Sequence, residues 1–189
     1  MTKKKKSETK TPDWVDQYLV PLKPCIESGA VDRARAFPDP QSAWDAWDDG
    51  SEMLWCLWQT DERDVIRLII CGCEIVESVL SVFEKNHRGD PRPREAVESA
   101  WIYIEKPTSK NRRAARDAAL AVSDVDSFVG IAADFLARAA GDANCNYITA
   151  AAVYTAAVAA AHARVGEHSN QADIVRKHFP VSPFLKTER

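Results

Sequence analysis

Glycine is scarce in this chain, with only 7 residues among 189. A turn-rich β sandwich is disfavoured for that reason, and the alanine-rich apolar content favours helices. The same scarcity disfavours a phosphate-binding loop built from glycine backbone. The G-x-G-x-x-G, Walker A, G-x-S-x-G and H-E-x-x-H motifs are all missing from the sequence. An ordinary enzyme is therefore the weaker interpretation, and we predict no catalytic residue and no cofactor.

Long uncharged apolar segments are also missing. The longest apolar stretch, 65–83, contains Arg67, Glu74 and Glu77, so a membrane-spanning helix is not expected. The first residues, 1–6, carry four lysines and no apolar segment, so no secretory signal is predicted. No aromatic residues interleave with these lysines, and a nucleic-acid partner is not expected either. We expect a cytoplasmic protein.

The chain has five cysteines, an odd number, and we expect reduced thiols rather than a disulfide framework. The most tempting pair is Cys71 and Cys73, which is too closely spaced for the usual C-x-x-C motif. Residues i and i+2 of a helix point about 200° apart and do not easily share a metal. The pattern predicts small core residues and no metal site.

Apolar periodicity predicts an all-α protein of seven to nine helices in a single compact domain. A helix over 62–85 is apolar nearly all round and is expected at the centre of the domain. Alanine-rich helices over 110–121, 124–139 and 144–165 are expected to pack closely. Residues 1–12 are predicted to be a disordered basic tail, 13–180 the helical domain and 181–189 a C-terminal tail.

One segment combines strong negative charge with tryptophan. Residues 39–64 hold eight acidic residues against Arg63 alone, an excess of seven negative charges. Acidic and aromatic residues together favour a basic partner, which charge would attract and an exposed Trp would anchor. The alternatives are a solvated acidic face and tryptophans in the core. The candidate partner-binding residues are Asp45, Asp48, Asp49, Glu52, Trp44 and Trp47.

Four features in this order resemble the Imm-5-like immunity protein family of bacteria and phages. They are the string AWDAWDDGSEMLW over 43–55, the helix with Cys71 and Cys73, the string DPRPREAVESAW over 90–101, and the closing QADIVRKHFP over 171–180. The resemblance covers about residues 41–180. It implies an all-helical protein that neutralises a toxin, and it carries over no catalytic residue.

Three functions remain open. The first is an immunity protein that blocks a toxin, expected to be basic, by direct contact. The second is a binder of a small phosphorylated or nucleotide ligand, for which Arg92, Arg94, Arg112 and Arg113 supply positive charge near two helix starts. The third is an unrecognised hydrolase or transferase. The sequence does not specify the oligomeric state.

Overall fold

The computed structural model describes residues 14–24, 29–60, 64–141, 146–163 and 168–186. Within these ranges the chain forms nine α-helices and no strand, which confirms the predicted all-α class. A π-helical turn (Val15–Leu19) and a 3-10 turn (Val20–Leu22) precede them, and a 3-10 turn (Pro183–Lys186) follows. The predicted tail over 1–12 lies outside the described residues. The α-helices are α1 (Ala30–Ala34), α2 (Pro40–Ala46), α3 (Gly50–Gln59), α4 (Val65–Asn86), α5 (Arg92–Glu105), α6 (Ser109–Val122), α7 (Phe128–Gly141), α8 (Asn146–Ala163) and α9 (His168–His178).

Helix α4 is the centre of the domain, as its composition predicts. It contacts α5, α7, α8 and α9, and ten of its residues are buried. Arg67, Glu77 and Ser81 on its polar stripe are exposed. The helix begins later than the predicted start at residue 62, because Asp64 accepts a hydrogen bond from the Arg67 amide at 3.0 Å and caps it.

The two buried thiols of α4 behave as core groups. Cys71 and Cys73 are both 0% exposed, in agreement with the sequence prediction. Burial raises the pKa of each thiol, because a thiolate is poorly solvated in an apolar interior. Both side chains are therefore neutral at physiological pH.

Alanine makes up much of the buried surface of α7 and α8. Five alanines of α7 and four of α8 are buried, and the two helices pack along each other. Small side chains let the helix backbones approach closely, as the sequence analysis expected. The buried alanines are Ala132, Ala133, Ala137, Ala139, Ala140, Ala156, Ala157, Ala159 and Ala160.

The end of the chain departs from the predicted tail over 181–189. Ser182, Pro183 and Phe184 are buried, and the Phe184 ring lies 6.1 Å from the ring of Trp14. The Ser182 amide donates a 2.9 Å hydrogen bond to Oε1 of Gln41 on α2. The predicted boundary after Pro180 lies close to the end of α9 at His178, but the domain extends beyond it. Phe184 has apolar area to bury and packs into the domain.

The start of α3 touches α9 at Gly50. A Cβ atom placed on Gly50 would lie 2.5 Å from the carbonyl carbon of Gln171 and 2.7 Å from the amide nitrogen of Ala172. Both are backbone atoms, so a side-chain rotation cannot relieve the overlap. Glycine is required here for a close approach between two helices.

Replacing Gly50 by Ala should lower the free energy of unfolding by about 1–3 kcal/mol, even though Ala favours helices intrinsically. Urea denaturation measures the change. The control is Ser81→Ala on the exposed stripe of α4, which should shift stability by no more than about 0.5 kcal/mol. A Gly50→Ala variant as stable as the unchanged protein would contradict the close approach.

Candidate protein-binding surface

Two aspartates of the acidic segment cap helices, Asp39 at the start of α2 and Asp49 at the corner between α2 and α3. Asp39 accepts hydrogen bonds from the Ser42 amide at 2.9 Å and the Ser42 hydroxyl at 2.7 Å, which lower the pKa of its carboxyl. Asp49 caps α3 by accepting from the amides of Ser51 and Glu52 at 2.9 and 3.1 Å. Part of the acidic excess therefore starts helices, since carboxylates stabilise the positive end of the helix dipole.

Trp44 and Trp47 are core residues, which corrects their prediction as partner-binding anchors. They are 1% and 6% exposed. The indole nitrogen of Trp44 donates to the Phe179 carbonyl at 2.7 Å, and that of Trp47 donates to Glu52 Oε2 at 2.7 Å. Helix α2 ends at Ala46, and Trp47 has an extended backbone, so the chain turns inward at this residue. Both rings then pack inside the domain.

Arg176 of α9 fastens the end of α2. Its guanidinium donates hydrogen bonds to the carbonyls of Trp44 and Trp47, the first at 3.5 Å, and to the carboxylate of Asp173 at 2.6 Å. The last carbonyls of a helix have no partner within the helix, and a basic side chain satisfies them. Sequence reasoning missed this residue, because 129 positions separate Arg176 from Trp47 and no local pattern links them.

Glu52 is also part of the scaffold. Its side chain is only 16% exposed and forms an ion pair with Arg33 of α1. The pKa of Arg33 is raised, first by the hydrogen bond to Glu52 and then by the negative charges of Glu52, Asp48 and Asp49. Three carboxylates of this segment are therefore close enough to Arg33 to act on its charge.

The carboxylates left at the surface are fewer than the sequence count. Asp45 and Asp48 are exposed and Asp49 is half-buried; we call these three residues the acidic corner. The side-chain amide of Gln41 donates to Asp45 at 2.7 Å and to the Pro180 carbonyl at 2.9 Å. These hydrogen bonds connect Asp45 to the segment that follows α9. Residues 61–63 of the acidic segment lie outside the described residues.

The four candidate arginines divide into two pairs with different surroundings. Arg92 forms ion pairs with Asp90 at 2.7 Å and Asp124 at 2.6 Å, and Arg94 pairs with Glu84 at 2.5 Å. Arg112 and Arg113 lie near the start of the next helix, α6, with Arg112 half-buried and Arg113 exposed. A phosphate at Arg92 or Arg94 would have to compete with carboxylates that are already in place.

Three further observations concern classes of function. In the part of the chain that the structure describes, no group of three or more His, Cys, Asp or Glu residues is arranged to hold a metal ion. None of the helices in the described ranges combines the length and apolar character needed to cross a membrane. No protein-family model, no curated protein and no solved structure matches this chain. The resemblance to the Imm-5-like family therefore stays a prediction.

The ion pair between Arg92 and Asp90 can be tested through the titration of the Asp90 carboxyl. Hydrogen bonds from Arg92 lower the pKa of Asp90 from 3.8 to about 2. The interaction of the ionised Asp90 with Arg92 stabilises the native state fully above about pH 4. This stabilisation is lost as the pH falls through about 2, because the native state favours the carboxylate. Replacing Arg92 by Gln should return the Asp90 midpoint toward 3.8, measured by carboxyl NMR. Arg113→Gln is the control and should leave the Asp90 midpoint near 2. An unchanged midpoint in Arg92→Gln would contradict the interaction between Arg92 and Asp90.

Proposed function

We propose that this protein binds a basic protein through the acidic corner and neutralises it by direct contact, without catalysing a reaction. The observation that carries the proposal is the exposure of Asp45 and Asp48 on a corner whose tryptophans are held inside the domain. The family resemblance suggests that the partner is a toxin, and a toxin that acts on nucleic acid would present a basic cleft.

The corner is organised before any partner arrives. Trp44 and Arg176 connect α2 to the end of the chain, and Asp49 fixes the first turn of α3. A surface that does not have to order its side chains or loops loses less entropy on binding. The rigid corner therefore favours recognition by direct contact over a segment that folds on its partner.

Charge at this corner acts mainly on association. Exposed carboxylates steer a basic partner and raise the association rate, whereas they add little to the lifetime of the complex. Asp48 and Asp49 act on Arg33 as well, so the carboxylates of this corner lie close together. The alternative of a phosphorylated ligand at Arg92, Arg94, Arg112 and Arg113 is less favoured, because the first two arginines are paired with acids.

The proposal is tested by reversing the charge of the two exposed acids with Asp45→Lys and Asp48→Lys. Protein captured from the cells that produce this chain supplies the partner, and surface plasmon resonance measures the kinetics. We expect a basic partner whose association rate falls about tenfold or more in the double variant, with a weaker dependence on salt. If the partner arrests growth when produced alone, co-expression of the unchanged chain should restore growth better than the double variant does.

The matched control reverses two exposed acids elsewhere, Glu105→Lys and Asp117→Lys, which changes the net charge equally. It separates the effect of the corner from that of total charge and should retain most of the association rate. An association rate unchanged by Asp45→Lys and Asp48→Lys, or a partner with an acidic contact surface, would contradict the proposal.

A further inference from the structure

A partly enclosed cavity of about 100 Å³ lies next to the acidic corner. Three aromatic residues line it: Trp47 lies in the connection between α2 and α3, Trp55 belongs to α3 and Tyr154 to α8. The carboxylate-bearing residue Glu52 and the thiol-bearing residue Cys56 also line it. The space holds several water molecules or one small polar group of similar size.

Among the lining residues that the structure describes, Glu52 is the one that carries a charge. Burial, with a smaller effect from the Glu52 charge, raises the pKa of the Cys56 thiol, so this group is neutral. The indole N–H of Trp47 donates to Glu52 Oε2 at 2.7 Å and holds the carboxylate beside the ring. The cavity is thus lined by an acidic residue and by aromatic residues at once.

The positive partner of Glu52 approaches from outside the cavity. Arg33 pairs with Glu52 but lines a neighbouring groove, together with Trp47 and Asp48. Its side chain is 45% exposed, against 16% for Glu52. A carboxylate has room for about four hydrogen bonds, so a second cation on the cavity side of Glu52 is compatible with its chemistry. Arg33 would weaken that second interaction by neutralising part of the charge.

We propose that this cavity binds a guanidinium or small alkylammonium group. Aromatic rings attract cations through their quadrupoles, and a carboxylate in a partly desolvated site supplies a charge-assisted hydrogen bond. An anionic group would meet the Glu52 carboxylate, and a neutral group of the same shape would gain neither attraction. The proposal stands apart from the proposed function, because its carrier is the lining of the cavity and not the exposed acids.

The test uses methylguanidinium as the probe and N-methylurea as its neutral counterpart, at constant ionic strength. Heteronuclear NMR of the indole N–H groups follows Trp47 and Trp55 in the full chain. We expect saturable shifts of both signals with methylguanidinium and no saturable shift with N-methylurea. Absence of a response to methylguanidinium, or equal responses to the two compounds, would overturn the proposal.

Two single substitutions give opposite expectations. Glu52→Gln keeps an acceptor for the Trp47 indole but removes the charge, and it should lower the affinity for methylguanidinium about tenfold. Arg33→Gln removes the competing cation and should raise the affinity for methylguanidinium severalfold. Unchanged affinity in Glu52→Gln, or weaker binding in Arg33→Gln, would overturn the arrangement.

A second pair of variants separates binding from folding. Trp55→Phe keeps an aromatic ring and should retain most of the binding, whereas Trp55→Leu should lose it while the helical circular dichroism stays unchanged. Equal binding by the Phe and Leu variants would show that the ring does not contribute and would overturn the aromatic part of the site.

The cation has two sources, a free small molecule or a side chain of a bound protein. N-acetyl-arginine methylamide and an arginine-bearing peptide distinguish them in the same NMR experiment. Tighter, Glu52-dependent binding of the peptide assigns the cavity to a protein side chain, and equal binding assigns it to a free cation. The Asp45→Lys and Asp48→Lys variant should bind methylguanidinium more weakly because of the added positive charge, but its binding should stay saturable and dependent on Glu52, so the cavity and the acidic corner are tested separately.

Discussion

The hydrogen bonds of Arg176 are the contacts on which the architecture of the acidic corner depends. It donates to two carbonyls at the end of α2 and pairs with Asp173 on its own helix. The Trp44 carbonyl also accepts from the Trp47 amide, but the Trp47 carbonyl depends on Arg176, and leaving it buried without a donor would cost about 1–3 kcal/mol. Because Arg176 supplies the donor from α9, the chain can stop α2 at Ala46 and turn Trp47 inward. The acidic corner and the cavity beside it both follow from that turn.

The helical class and the central position of α4 could be predicted, since both depend on patterns local to the sequence. An almost entirely apolar helix has to be surrounded by other helices, and Asp39 before Pro40 is a local signal for a helix start. The start of α3 depends on which of two cap-forming residues is used. Asp49 and Ser51 are both of that type, and the hydrogen bonds from the Ser51 and Glu52 amides show that Asp49 is the cap.

The candidate site was predicted in part, because charge can be counted along a sequence but exposure cannot. Asp45 and Asp48 are at the surface as the acidic pattern implied. Trp44 and Trp47 are buried instead, because their large apolar rings pack inside the domain and both indole nitrogens find acceptors there, one of them in a segment far along the chain. The pairing of Glu52 with Arg33 joins residues 19 apart on different helices, and no periodicity in the sequence reveals it.

The buried alanines of α7 and α8 have a consequence for how this part of the domain tolerates change. Alanine has no side-chain rotamers to lose on folding, so these residues are buried at little cost in side-chain entropy. A larger residue at one of these fully buried positions would have to displace the side chains and backbone around it. At the corner, by contrast, order comes from single hydrogen bonds of Trp44 and Arg176. A larger residue among the buried alanines therefore acts through packing, whereas a substitution at Trp44 or Arg176 acts through the loss of individual hydrogen bonds.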